Sequence, residues 1–99
     1  MPLSDTARTA LAACYATRGR HKGQLLAKCP RSDTLAAAAW QGAMIVCNPY
    51  KASIAACLFM NEEQRAIREE VYQHFNALPH DHMILAQRDR EALETLGVW

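Results

Sequence analysis

Thirteen residues, Leu35 to Cys47 (LAAAAWQGAMIVC), contain only one strongly polar side chain, Gln41. Such a run reads as a buried helix, and it constrains everything else in the chain. At about 100° per residue, Thr34, Gln41 and Asn48 share one narrow polar stripe, whereas Ala36, Trp40, Ala43 and Cys47 lie opposite it with apolar residues on both flanks. Nearly every side of this helix therefore needs protein around it. Ala38 and Gly42, four residues apart, let a neighbouring backbone come close, and Trp40 offers the largest apolar surface to anchor the packing.

With 99 residues the chain has room for one core and not two. Alanine supplies much of the 51% hydrophobic content while aromatics make up 7%, which favours closely packed helices over a β-sandwich. The expectation is an all-α single domain over residues 1–99, a compact bundle of about four to five helices around a central helix at about 33–47. The longest apolar run falls short of the roughly 20 residues that span a bilayer, and MPLSDTART lacks a basic region followed by an apolar one. A soluble, unprocessed, cytoplasmic protein with no membrane partner is expected. Cys14, Cys29, Cys47 and Cys57 form no C-x-x-C pair, and 14, 47 and 57 sit among apolar residues on expected helices. They read as reduced core thiols.

Ser4 or Asp5 caps a first helix whose Ala7, Ala10, Leu11, Cys14 and Tyr15 share a face before Gly19 stops it. Gln24 to Cys29 reads as a short helical turn ended by Pro30, and Ser32 or Asp33 as the cap of the central helix. Asn48-Pro49 closes that helix and opens the next, since asparagine is a good N-cap and proline fits the first helical position. Lys51 to Met60 continues helical with Ile54, Cys57 and Leu58 inward. Asn61-Glu-Glu-Gln64 has the spacing of a capping box, which either starts a new helix or sits inside one long helix from 50 to 77. Ile67, Val71, Phe75 and Leu78 then recur on one face, opposite Glu62, Arg65, Glu69, Gln73 and Asn76, until Pro79. Met83 to Ala86 reads equally as an extended piece or an early helical turn. Asp89 caps a last helix with Ala92, Leu93 and Leu96 inward and Gly97 as its stop, and Trp99 either folds back or forms a sticky end.

Charge is lopsided. Residues 1–60 carry seven Lys/Arg against Asp5 and Asp33, a net +5, and residues 61–99 carry four Arg against eight acids, a net −4. The densest cluster is Arg18-Gly-Arg-His-Lys-Gly23, where Arg18, Arg20 and Lys22 stand between or beside glycines and no acid occurs from 18 to 31. It reads as a contact for an acidic protein surface or for phosphates, or as a solvated loop.

No G-x-S-x-G, P-loop, H-E-x-x-H or G-x-G-x-x-G is present. A Cys47–His74 pair has no spacing that selects it, so no catalytic residue is assigned. His80-Asp81-His82 with His74 suggests zinc only weakly, so neither a metal site nor a cofactor is assigned. A small helical DNA-binding protein is the alternative class. The candidate recognition helix, Lys51 to Met60, has one cation and few polar groups for base edges, so direct nucleic-acid contact is secondary. A non-catalytic protein-binding modulator fits best, with Arg18, Arg20, Lys22, Tyr50, Phe59, Met60 and Trp99 as candidate partner-binding residues.

In its size, its Ala- and Cys-containing helical chain, its RGRHKG loop and its NPYK corner, the sequence resembles small phage-encoded accessory proteins, and among them the anti-RecBCD proteins of lambdoid phages. That resemblance implies a non-catalytic protein that binds the host RecBCD helicase-nuclease and alters its activity so that phage DNA ends survive.

Overall fold

The computed structural model describes residues 3–54 and 59–99. Six helices are described: α1 (Asp5–Ala12), α2 (Leu35–Cys47), α3 (Pro49–Ile54), α4 (Glu62–Asn76), α5 (His80–Arg88) and α6 (Arg90–Thr95). The domain is all-α around α2, as the apolar run requires, with one helix more than expected because 80–88 is helical. Ala37, Ala38, Ala39, Trp40 and Ala43 are wholly buried, and the Trp40 indole N–H donates to the Leu26 carbonyl at 2.9 Å. A buried tryptophan needs such a partner to avoid stranding its donor.

At Gly42 the backbones of α2 and α4 come close. A methyl group built there would overlap the Arg68 carbonyl oxygen and lie 3.1 Å from the Tyr72 nitrogen and 3.2 Å from the Val71 Cβ. Near the start of α4, the Gln64 amide donates to the Ser32 and Thr34 carbonyls at 2.9 and 3.1 Å. The beginnings of α2 and α4 thus meet, and their middles meet at Gly42, so the two helices run in the same direction. α1 runs the opposite way. Its far end reaches the start of α2 through Cys14 Sγ to the Ala36 carbonyl (3.1 Å), and its cap residue Ser4 meets Glu70 well along α4.

The caps explain the boundaries. Ser4 accepts from the Ala7 amide and starts α1. Thr34, rather than Ser32 or Asp33, caps α2: its hydroxyl accepts from Ala37 and donates to the Arg31 carbonyl, while Asp33 pairs with Arg31 at 2.9 Å. Asn48 opens α3 through its side chain to the Lys51 amide at 3.1 Å. The capping box is complete, Asn61 to the Gln64 amide at 2.8 Å and Gln64 to the Asn61 amide at 3.1 Å. It settles the alternative against one continuous helix from 50 to 77, because residues 59–61 are not helical and α4 starts at this box. Gln41 fills its place on the polar stripe by donating to the Ala52 carbonyl at 2.8 Å, which fastens α3 against the middle of α2.

Three further expectations require correction. α1 ends at Ala12, so Cys14 and Tyr15 are buried from outside the helix, where Tyr15 bridges to Leu25. Gln24 to Cys29 is therefore not a helical turn. The Leu26 amide donates to the Cys14 carbonyl at 2.8 Å, an extended pairing that a helix would forbid. The helix expected over Lys51 to Met60 is described only to Ile54, and Phe59 and Met60 lie outside any helix. The inward placements of the Ile54 side chain, Cys57 and Leu58 fall outside the described residues.

Candidate functional site

The basic cluster occupies the tip of a short antiparallel hairpin. Its arms are closed by backbone bonds from Ala16 to Gln24 (2.9 Å), from Gly23 to Ala16 (2.8 Å) and from Leu26 to Cys14 (2.8 Å). Gly19 and Gly23 both adopt φ +86°, a conformation that glycine takes at little cost and other residues avoid. At Gly23 the backbone also lies against the α5–α6 junction, with Arg88, Asp89 and Arg90 main-chain atoms 3.9 Å from where a side chain would begin.

The base of the hairpin is fixed to that junction by three hydrogen bonds. The Leu25 amide donates to the Gln87 carbonyl (2.9 Å), the Arg90 amide to the Gly23 carbonyl (2.8 Å), and the Tyr15 hydroxyl to the Ala86 carbonyl (2.7 Å). Burial, followed by the neighbouring thiols Cys47 and Cys14, pushes the Tyr15 phenol above its ordinary range, so it stays a neutral donor. On this footing Arg18, Arg20 and Lys22 are exposed, and among the described residues no ion pair engages them. The three described ion pairs, Arg8–Asp5, Arg31–Asp33 and Arg90–Glu94, lie elsewhere.

The remaining candidates separate. Tyr50 is 76% exposed on α3, and Phe59 is 94% exposed in the turn before α4. Met60 is 8% exposed and joins the core, so it is not part of an accessible surface. Trp99 folds back instead of projecting. Its amide and that of Val98 donate to the Leu93 carbonyl at 3.2 and 3.1 Å, and the Arg90 guanidinium lies 5.1 Å from the indole centroid. Arg90 thus touches the hairpin base through its backbone and Trp99 through its side chain. Sequence reasoning missed this junction of Ala86, Gln87 and Arg90, since nothing local to them signals a partner at 15–25. It also missed the exposed Ile45 and Leu85.

The Cys14 and Cys47 thiols are not activated as nucleophiles. Burial pushes Cys47 up to about 12, and burial with the nearby Cys29 pushes Cys14 up to about 12, the opposite direction from an activated thiolate. No disulfide joins Cys14, Cys29 and Cys47. Among the described residues no three His, Cys, Asp or Glu side chains gather as metal ligands, and no helix is long and apolar enough to cross a membrane. Comparison with protein-family models, curated proteins and solved structures finds no significant match to this chain.

Proposed function

We propose that this protein is a small non-catalytic binding module that docks its basic hairpin on an acidic surface of a host DNA-processing complex and modifies that complex's activity. The RecBCD helicase-nuclease is the partner that the resemblance to lambdoid-phage anti-RecBCD proteins implies. One observation carries the reading: three cations without acid partners among the described residues stand on a hairpin whose base is held by hydrogen bonds to α5 and α6. Charges held this way raise the association rate with an acidic target and lose little conformational freedom on docking.

The test is binding to purified RecBCD, with degradation of linear duplex DNA as the readout. Wild-type protein is expected to bind and to change the nuclease rate. The variant Arg18→Glu, Arg20→Glu, Lys22→Glu is expected to bind at least about 10-fold more weakly at low salt, the lower end of electrostatic steering. Equal binding by the triple variant refutes the role of the hairpin, and an unchanged nuclease rate with saturating protein refutes the modulator reading. Tight binding to duplex DNA alone, falling steeply with salt, replaces it with the DNA-binding alternative.

A further inference from the structure

A groove of about 930 Å³ runs between the start of α1, the last turns of α4 and the 97–99 tail. Its apolar wall includes Leu78, Val98 and Trp99, each only partly buried although packed against the core. Its polar wall carries one carboxylate, Glu70, and one imidazole, His74, and its lining contains neither lysine nor arginine. Glu70 receives hydrogen bonds from the Ser4 amide at 2.6 Å and the Ser4 hydroxyl at 3.0 Å. Both donors are neutral, so they fix the carboxylate in place without cancelling its charge. A carboxylate has room for about four hydrogen bonds, and among the described residues no ion pair and no donor besides Ser4 engages Glu70, which leaves it room for a further donor.

We propose that this groove is a second docking surface, and that its occupant is a segment of a protein partner carrying a large apolar side chain beside a lysine or arginine. The apolar side chain would lie against Leu78, Val98 and Trp99, and the cation would meet Glu70. Charge complementarity selects this chemistry over an acidic or purely apolar segment. An acidic segment meets like charge at Glu70, and an apolar one leaves that charge facing a desolvated surface. The inference extends the binding-module reading but does not depend on the hairpin, which carries the opposite charge and suits a different surface of a partner.

The probe is a capped hexapeptide alternating lysine and leucine, compared with the same peptide bearing glutamate for lysine, titrated into isotope-labelled protein and followed by amide chemical shifts. The lysine peptide is expected to cause saturable shifts at Ser4, at residues 73–78 and at Val98 and Trp99, and the glutamate peptide none. Glu70→Gln, whose amide oxygen can still accept from Ser4, is expected to weaken binding by about 2- to 5-fold, as for a partly exposed ion pair, and unchanged affinity in this variant would overturn the choice of a cationic occupant. Ala77→Phe adds bulk at an exposed position of the groove wall, removes no hydrogen bond, and is expected to abolish binding. The triple hairpin variant is expected to bind the peptide as wild type does, so failure of the groove and failure of the hairpin are read separately. Absence of saturable shifts in the groove, equal shifts with the glutamate peptide, or wild-type affinity in Ala77→Phe would overturn the proposal.

Discussion

Gly42→Ala gives the sharpest test of how this fold is held, because two effects of opposite sign meet at one atom. Alanine is the better helix former by about 1 kcal/mol, so in isolation the change stabilises α2. In the folded protein the new methyl overlaps the Arg68 carbonyl oxygen and sits 3.1 Å from the Tyr72 nitrogen. Both are main-chain atoms in the middle of α4, so no side chain can swing aside to relieve the clash. α4 has to move as a unit, which lifts Ile67, Val71 and Phe75 from their seats in the core. Overpacking of this kind costs about 1–3 kcal/mol and occasionally more, and here the upper part of that range applies because the obstacle is backbone. Subtracting the gain in helix propensity leaves a net loss of about 1–2 kcal/mol. Urea unfolding followed by tryptophan fluorescence measures it. With a slope of about 1–1.5 kcal/mol per molar urea for a domain of this size, the midpoint is expected to fall by about 1 M at unchanged slope. A midpoint equal to or above that of wild type would show that propensity wins, and that α2 and α4 do not touch at Gly42.

Trp40→Ala is expected to destabilise by about 3–5 kcal/mol, and a loss under about 1 kcal/mol in the same urea experiment would contradict its central place in the core. Tyr15→Phe removes the donor to the Ala86 carbonyl and is expected to cost about 1–2 kcal/mol, with faster amide exchange at Leu25 and Arg90, whose bonds fasten the same hairpin base. The triple glutamate substitution at the hairpin tip is expected to change stability by less than about 0.5 kcal/mol, since those charges are exposed, and circular dichroism with thermal melting checks it. Stability is also expected to fall with alkaline pH. Cys14 and Cys47 are raised by burial to about 12 in the fold, so above the ordinary thiol value of 9.0 the unfolded chain loses protons that the folded chain keeps. The stabilisation from each is complete below pH 9 and is lost as pH rises toward 12; urea midpoints that stay level from pH 8 to pH 11 would contradict it.

The elements legible in the sequence were those whose stabilising interactions close within a few residues. The central helix followed from thirteen residues with one polar side chain, and its close neighbour from a glycine amid alanines. The Asn48-Pro49 corner and the Asn61–Gln64 box act over three positions, and each sits where its spacing placed it. The apolar face of α4 is read from periodicity alone, and Ile67, Val71 and Phe75 are buried as it requires. The basic tip was equally visible, because charge and glycine content are properties of composition.

What holds that tip in place was not visible. Tyr15 and Ala86 are 71 positions apart, and the bonds from Leu25 to Gln87 and from Arg90 to Gly23 bridge similar separations. No local preference marks either end of such a bond, so Gln24 to Cys29 was as plausible as a helical turn until the α5–α6 junction drew it out into an extended arm. The same applies to the choice between Phe59 and Met60, adjacent apolar residues of which only one reaches the core, and to Trp99, whose return onto Leu93 and Arg90 depends on where α6 ends in space. Local hydrogen-bond chemistry set the helices and their caps, while contacts between residues distant along the chain decided which surfaces stay exposed.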